Sequence, residues 1–152
     1  MFWGCRTWQG LGYGCQIYGG TMNAGDYIEI LETPLKDTLD FYDLRPDDFV
    51  FQQSCDSKHT AKATKRYLQD RKYTVLPWPA RSPDRKPIEH VWKYLKAQID
   101  LRARRPSSVH KLWDAVLEEW EKIPQDYIQT LYEPLTRRVR AVLRAKAGHT
   151  KY

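Results

Sequence analysis

The 152-residue sequence lacks any apolar run that approaches the roughly 18 residues of a membrane span, and no signal peptide opens it. Its three cysteines are odd in number and form no C-x-x-C pair, so neither a disulfide framework nor a zinc site is expected. Internal repeats and low-complexity tracts are also missing. We therefore expect no membrane partner and a reducing, intracellular compartment.

The composition is typical of one folded domain with an anionic partner. Hydrophobic residues make up 41% of the chain and include six tryptophans, which is enough for a packed core. The formal net charge is +6, which favours a partner such as nucleic acid. Charge alone is weak evidence, since many proteins without such a partner are equally basic.

The first part of the chain predicts a β-hairpin followed by an interrupted helix. Residues 2–8 and 13–18 are the predicted strands, joined around a Gly-Leu-Gly-Tyr-Gly turn. Asn23 is the predicted N-cap of a helix. Pro34 lies inside that helix and should kink or split it. The helix has an apolar stripe of Tyr27, Ile28, Leu31, Leu35 and Leu39.

A strand–helix–strand pattern follows. Residues 49–53 predict a buried strand that ends at Ser54, and residues 74–76 predict a second strand. Residues 60–71 between them predict a basic amphipathic helix. A proline-rich loop then leads to a helix whose first turn contains Glu89. This crossover is expected to be right-handed and to bring the side chains of Ser54 and Glu89 to one place.

Two further helices are predicted after a basic hinge at residues 102–106. Ser107 or Ser108 caps the first, whose apolar stripe runs to residue 123 and is interpreted as core, and Pro124 ends it. The last helix has apolar residues between 128 and 143 on one face. Residues 136–152 include six basic side chains and no acidic ones. This predicts either a solvated helix face favoured by the helix dipole or a surface that contacts DNA phosphates.

Residues 49–95 resemble the catalytic core of the Tc1/mariner transposases. Thirty-four residues lie between Ser54 and Glu89, which is the family's spacing between its second and third catalytic carboxylates. The likeness continues in WGC at residues 3–5, GTMNA at 20–24 and GHTKY at 148–152, and so covers nearly the whole chain. The matching motifs are, in order, Phe51-Gln52-Gln53-Ser54, His59-Thr60, Trp78-Pro79, Ser82-Pro83-Asp84, Pro87-Ile88-Glu89 and Trp92.

The resemblance implies an α/β fold, a truncated RNase H-like (DDE integrase/transposase) fold that lacks the first, central strand and carries C-terminal helices. Residues 1–102 would form the partial catalytic core, and residues 103–152 its helical extension. The hairpin looks like strands 2 and 3 of the 3-2-1-4-5 sheet, and residues 49–53 and 74–76 look like strands 4 and 5. We expect the hairpin to pair directly with residues 49–53; otherwise the edge of that strand stays exposed and prone to association.

The resemblance also implies a chemistry for which this chain lacks most of the ligands. The family is similar to other DDE enzymes, which hold two Mg²⁺ or Mn²⁺ ions on three carboxylates. Here Ser54 occupies the second position, the first would lie on the missing strand, and Glu89 remains as a vestigial third. One carboxylate cannot neutralise two divalent cations. We therefore expect no DNA cleavage and at most weak metal binding at Glu89.

Two local replacements for the missing chemistry are not expected. Asp56 lies two residues beyond Ser54, ~6.6 Å along a strand, which is too far to occupy the same ligand position. Ser54 as a nucleophile lacks a nearby His–Asp signature in the sequence. His59 is interpreted as a structural cap or a neighbour of a phosphate.

The resemblance implies a nuclear protein of DNA transposition and integration, with DNA bound non-specifically through its phosphates and a full-length transposase as a second partner. Three functions stay open: a DDE transposase by descent, a non-catalytic DNA- or transposase-binding derivative, and an unrelated basic interaction domain. We favour a catalytically inactive Tc1/mariner C-terminal catalytic-domain fragment. The candidate DNA-contacting residues are Lys58, His59, Arg85, Lys86, Arg102, Arg104, Arg105, Arg137, Arg138, Arg140 and Arg144.

Overall fold

A computed structural model describes residues 1–79 and 86–132. The chain divides into two compact units, one of residues 1–5 with 12–82 and the other of residues 6–11 with 83–152. Each unit is described by itself below. The predicted division into a catalytic core at residues 1–102 and a helical extension at residues 103–152 stays a prediction.

The described residues contain two strands (β1 and β2), seven α-helices, one π-helical turn and one 3₁₀ turn. Their bounds are β1 Phe2–Arg6, β2 Leu11–Gln16, α1 Ala24–Ile30, the π-helical turn Leu31–Leu35, α2 Lys36–Phe41, the 3₁₀ turn Pro46–Asp48, α3 Ser57–Thr60, α4 Lys62–Asp70, α5 Pro87–Asp100, α6 Val109–Glu121 and α7 Gln125–Thr130.

The predicted hairpin is present, but its turn lies earlier in the chain than the glycines indicated. The N–H of Thr7 donates to the carbonyl of Gly10 at 2.7 Å, and Thr7 Oγ1 accepts from the N–H of Gly10 at 3.2 Å. Gly12 therefore belongs to β2 and not to the turn. A Cβ atom at Gly12 would lie 2.4 Å from Thr38 Cγ2, so glycine is needed there because β2 closely approaches α2.

A buried threonine joins the hairpin to α2. Thr38 is fully buried, and its Oγ1 accepts from the N–H of Tyr13 at 2.9 Å and donates to the carbonyl of Pro34 at 2.7 Å. The thiol of Cys5 also lies 3.4 Å from this oxygen. Burial raises the pKa of the Cys5 thiol to about 11, so it packs as a neutral, unreactive group.

The predictions for the interrupted helix are confirmed. Asn23 caps α1 by accepting from the N–H groups of Gly25 and Asp26, while the Asp26 carboxylate accepts from the N–H of Asn23. Pro34 lies in the π-helical turn that separates α1 from α2. Proline has no N–H to continue the α-helical hydrogen bonds, and the wider turn absorbs that loss.

The core of the first unit forms where α1, the π-helical turn and α2 meet α4 and Phe51. Its buried residues are Tyr27, Leu31, Leu35, Leu39, Phe51 and Leu68, so most of the predicted stripe is core. The helix predicted at residues 60–71 is instead broken at Ala61, whose ψ of 147° is extended. Asp56 begins α3 one turn earlier by accepting from the N–H of Lys58.

The prediction of full strands at residues 49–53 and 74–76 is wrong. They share a single parallel bridge between Phe51 and Val75, in which the N–H of Phe51 donates to Thr74 and its carbonyl accepts from Leu76, both at 2.8 Å. Direct closure by the hairpin is also wrong, since the sheet formed by the described residues contains β1 and β2 alone. A ladder needs several consecutive paired residues, and a single bridge does not provide them.

The second unit contains α5, α6 and α7 packed through aromatic rings. Trp92 and Trp120 stack with their centroids 5.3 Å apart, and Tyr94 lies 4.7 Å from Tyr127. Ser108 is the observed cap of α6, as one of the two predicted serines. The predicted last helix is described only as α7, and its continuation beyond residue 132 lies outside the described residues. Among the helices of the described ranges, none has the length and apolarity needed to cross a bilayer.

Candidate site around Ser54

Ser54 follows the Phe51 bridge directly, and α3 returns a histidine to it. Ser54 Oγ lies 2.7 Å from Nδ1 of His59, within hydrogen-bonding distance. The return is local, because Asp56 caps α3 and so sets the direction of the turn that contains His59. The N–H of Asp56 also donates to Ser54 Oγ at 3.4 Å. The hydroxyl therefore has polar partners inside its own loop.

Two more side chains close a ring of contacts around His59. The hydroxyl of Tyr27 donates to Gln53 Oε1 at 2.9 Å, and Gln53 Nε2 donates to the carbonyl of His59 at 3.2 Å. The rings of Tyr27 and His59 lie 4.1 Å apart, tilted by 35°. We refer to Tyr27, Gln53, Ser54 and His59 as the position-54 network. Its members orient each other, so the side chain at position 54 has a defined place.

The network is attached to the core through Tyr27. This side chain is 1% exposed and belongs to the buried cluster of the first unit. Burial raises the pKa of Tyr27, so its hydroxyl stays protonated and can act as the donor to Gln53. Sequence reasoning assigned Tyr27 to an apolar stripe and Gln53 to a family motif, and missed both as network residues. The hydroxyl of Tyr27 is the one feature of the sequence that could have indicated this buried hydrogen bond.

A groove of about 380 Å³ opens beside the network. Ser54, His59 and Gln53 supply polar groups to its wall, and Tyr73 and Trp78 are among the residues that complete it. Lys65 adds a positive charge to this wall of neutral hydrogen-bonding groups and aromatic surface. Such a lining can accept polar, planar or anionic groups, but it does not supply the negative charge that a divalent cation requires.

The proximity of His59 corrects one detail of the sequence argument. Ser54 does have a histidine partner, five residues away and brought back by α3. A hydrolytic triad would also require a carboxylate that orients the histidine ring. Here that ring is oriented by its stacking on Tyr27, and Asp56 is used as a helix cap and in an ion pair with Lys58 at 2.6 Å. The geometry of the Ser54–His59 pair therefore fits a role in packing better than a role in acyl transfer.

Glu89 lies in the first turn of α5, in the second unit. Its Oε1 is 3.3 Å from Nζ of Lys86, and about a third of its side chain is exposed. A carboxylate at this helical position also complements the dipole of α5. Glu89 and Ser54 belong to different units, and their convergence stays a prediction.

Several of the predicted DNA-contacting cations have acidic partners. Lys58 pairs with Asp56 and Lys86 pairs with Glu89, and each lysine side chain is less than a fifth exposed. Arg102 pairs with Glu118 at 2.7 Å and with the adjacent glutamate, which raises the pKa of its guanidinium.

Two further predicted cations lie within the described residues. Arg104 and Arg105 are exposed. The positions outside the described residues are Arg85, Arg137, Arg138, Arg140 and Arg144.

Comparison with known proteins gives the same family as the motifs. The Tcb1 transposase of Caenorhabditis briggsae is 36% identical over all 152 residues, which cover 54% of that protein. The Tc1 transposase of Caenorhabditis elegans is 34% identical, again over the whole chain and 54% of the relative. These relatives support the resemblance to Tc1/mariner transposases that the motifs carry. This chain spans about half the length of these curated relatives, and no protein-family model matches it.

Solved structures agree on the fold. The Mos1 transposase catalytic domain, solved with Raltegravir and Mg, has a TM-score of 0.82 at 19% identity, covering 99% of this chain and 76% of that one. A Mos1 paired-end complex with the left transposon end has a TM-score of 0.83 at 19% identity, covering 97% of this chain and 44% of that one. The predicted α/β, RNase H-like fold is thereby confirmed for this chain.

Proposed function

We propose that this chain descends from the Tc1/mariner machinery of DNA transposition, contacts DNA through its phosphates, and does not cut it. The observation that carries the proposal is the state of position 54. Where the family motif has a carboxylate, this chain has a neutral hydroxyl whose oxygen lies 2.7 Å from His59 Nδ1. A hydroxyl held in this way is a poor substitute for an anionic metal ligand.

The donor set does not fit the Mg²⁺ or Mn²⁺ ions of the family. Ser54 contributes no charge, and the carboxylate of Glu89 is paired with Lys86. Within residues 1–79 and 86–132, no three His, Cys, Asp or Glu side chains are grouped in a way that could hold a metal ion. Two divalent cations need several anionic oxygens to offset their charge and their lost hydration. These features support a chain without the family's cleavage chemistry.

Cleavage is tested directly by nicking of supercoiled DNA in Mg²⁺ or Mn²⁺. The unmodified chain is expected to give no product above a metal-free control. Calorimetry with Mn²⁺ is expected to show no tight site, no change for Ser54→Ala and a modest gain in affinity for Ser54→Asp, because the latter adds a second carboxylate. Metal-dependent nicking or tight Mn²⁺ binding by the unmodified chain would contradict the proposal.

DNA contact is supported by the family and by the charge distribution. The relatives are transposases of transposable elements, and one solved neighbour is a complex with a transposon end. The chain carries a net charge of +6. Arg104 and Arg105 are exposed, in contrast to the paired Lys58, Lys86 and Arg102. The basic residues between 137 and 144 stay proposed contacts.

The salt dependence of DNA binding separates these contacts. Each phosphate contact contributes about −0.9 to the slope of log K against log salt. Arg104→Gln with Arg105→Gln should therefore flatten the slope by up to about two, and the fourfold change of residues 137, 138, 140 and 144 to Gln should flatten it by up to about four. The matched control is Lys36→Gln with Lys96→Gln, because both lysines already pair with aspartates on their own helices. If all variants give the same slope, these residues do not contact DNA phosphates.

Association with a full-length transposase and a nuclear location stay predictions of the same proposal. Retention of the chain on a purified full-length transposase, in the presence of nuclease, would test the first. Loss of retention after nuclease treatment would attribute the association to DNA.

A further inference from the structure

A serine follows two arginines in the connection between α5 and α6. Residues 104–107 read Arg-Arg-Pro-Ser, and the two arginines and the serine are exposed. Arginine-directed serine/threonine kinases select arginines two and three positions before the serine, because their substrate cleft is acidic. Asp100 acts electrostatically on Arg105 but is itself paired with Lys96. The charge pattern and its exposure therefore make Ser107 a candidate for phosphorylation.

A second hydroxyl in the sequence has a similar pattern, and the structure separates the two. Arg71 and Lys72 lie three and two positions before Thr74. Lys72 has a φ of 58°, in the left-handed conformation that ends α4. The N–H of Tyr73 donates back to α4 at 2.9 Å, and the carbonyl of Thr74 accepts from the N–H of Phe51 at 2.8 Å. A kinase would have to break these backbone hydrogen bonds to bind this segment.

Ser107, by contrast, lies outside the helices, in the connection formed by residues 101–108. Pro106 has a fixed φ and favours an extended conformation at Arg105 before it. The backbone of Ser108 is also extended, with a φ of −148° and a ψ of 164°. A segment of this shape can enter a kinase cleft without the loss of a helix or a bridge, so binding costs little reorganisation.

A cation is already in place beside the hydroxyl. Nζ of Lys111 donates to Oγ of Ser107 at 3.2 Å. Ser107 directly precedes Ser108, the cap of the 13-residue helix α6, so a phosphate there would also lie near the positive end of the helix dipole. A phosphoserine carries about −1.5 to −2 charges at pH 7 and is stabilised by both features. The modified side chain would thus be received by groups that the unmodified chain already positions.

We propose that Ser107 is a phosphorylation site for an arginine-directed serine/threonine kinase, and that its phosphate pairs with Lys111 and offsets the charge of the two arginines. In the transfer, Ser107 Oγ attacks the γ-phosphorus of ATP. The new O–P bond forms as the bond to the β-phosphate oxygen breaks, ADP leaves, and the hydroxyl proton passes to the catalytic aspartate of the kinase. The added negative charge should weaken DNA contact by Arg104 and Arg105, and this last effect alone rests on the proposed function.

The first test incubates the purified chain with ATP and the catalytic subunit of cyclic-AMP-dependent protein kinase, which selects arginines at these positions. Mass spectrometry is expected to find one phosphate, on Ser107, and Ser107→Ala should abolish it. Arg104→Gln with Arg105→Gln should lower the kcat/KM of phosphorylation at least about tenfold, because two charge-assisted contacts with the kinase are lost.

The matched control is Arg71→Gln with Lys72→Gln, which removes the similar pattern before Thr74 and should leave the rate unchanged. Absence of transfer to the unmodified chain would overturn the proposal. So would a phosphate on Ser108 or Thr74 in place of Ser107, or an equal loss of rate in the two double variants.

Phosphorus NMR tests the pairing with Lys111 and needs no DNA. In the phosphorylated chain, Lys111→Gln should raise the second pKa of the phosphoserine, because a nearby cation favours the dianion. Lys122→Gln is the control and should leave this pKa unchanged, since Lys122 lies about 16 Å further along α6 and pairs with Glu118. Equal titrations in the two variants would contradict the pairing.

The salt dependence of DNA binding, measured before and after phosphorylation, tests the effect on DNA. The slope should flatten by up to about two, as for Arg104→Gln with Arg105→Gln. An unmodified chain that binds no DNA would overturn the proposed function and with it this effect, whereas the mapping and the titration decide the modification by themselves. Unchanged affinity and slope after phosphorylation would overturn the effect on DNA alone.

Discussion

The two positions at which this chain aligns with family carboxylates have diverged in opposite ways. Position 54 has a neutral serine, inside a closed network that reaches the core through Tyr27, which is 1% exposed. Position 89 kept its carboxylate, yet Glu89 is about one-third exposed and paired with Lys86. The charge of a ligand and the packing of its surroundings are therefore separable. The proposed loss of metal chemistry would therefore leave the scaffold intact, because different contacts stabilise each.

The substitution at position 54 is compatible with the fold for a simple reason. A serine hydroxyl can both donate and accept, so it satisfies Nδ1 of His59 in either tautomer. A neutral pair also costs less to bury than a carboxylate would. The network is thus expected to contribute to stability in the present chain, whereas Glu89 is expected to contribute little. The following predictions test that contrast, beginning with the largest effect.

Truncation of Tyr27 should be the most damaging change. Tyr27→Ala removes a fully buried ring together with its stacking on His59 and its hydrogen bond to Gln53, and should cost about 3–5 kcal/mol in the free energy of unfolding. Tyr18→Ala is the control, since that ring is 79% exposed and should change stability by less than about 0.5 kcal/mol. Urea unfolding measures both. Equal effects would show that the network is not part of the scaffold.

Removal of the Tyr27 hydroxyl alone should have an intermediate effect. Tyr27→Phe leaves Gln53 Oε1 without its donor and should cost about 1–3 kcal/mol. A double-mutant cycle with Gln53→Leu isolates the pair, and the two changes together should cost less than the sum of each. Strict additivity would mean that the hydroxyl and the amide do not interact in solution.

Restoration of a carboxylate should make the network sensitive to pH. In Ser54→Asp the new charge faces Nδ1 of His59 and should raise the pKa of that histidine relative to Ser54→Asn, a neutral control of similar shape. A raised histidine pKa contributes stability that is present below the unfolded pKa of about 6.5 and is lost as pH rises through the folded value. The folding stability of Ser54→Asp should therefore increase relative to that of Ser54→Asn as the pH falls. NMR titration of His59 checks the direction, and identical titrations would place position 54 away from the ring.

Surface pairs in the second unit should give the smallest effects. Glu89→Gln is expected to change stability by less than about 0.5 kcal/mol at neutral pH, as partly exposed ion pairs do. Lys122 and Arg102 lower the pKa of Glu118 to about 2. A lowered carboxylate pKa gives stability that is present above the unfolded value of about 4.3 and is lost as pH falls toward the folded one. The difference between the unmodified chain and Glu118→Gln should therefore shrink between about pH 5 and pH 2, as thermal unfolding would show; a constant difference would contradict it.

Much of the local structure followed from short-range patterns. The cap at Asn23, the interruption at Pro34 and the cap at Ser108 depend on side chains that bond to, or remove, backbone groups within one turn. The family, the hairpin and most of the buried stripe were also predictable, because spacing and periodicity are properties of the chain itself. The effect of restoring or removing such a feature should therefore be predictable without reference to distant residues.

The tertiary structure alone decided whether residues 49–53 form a strand and how His59 packs on Tyr27. Residues 49–53 have the composition of a strand, yet only Phe51 forms a bridge, because a strand needs a partner along its length and the sequence of one segment cannot supply it. The contact of His59 with Ser54 lies in the turn that Asp56 caps. The stack of His59 on Tyr27 joins residues 32 positions apart. Contacts of that range depend on how helices pack on the core, which no local pattern records.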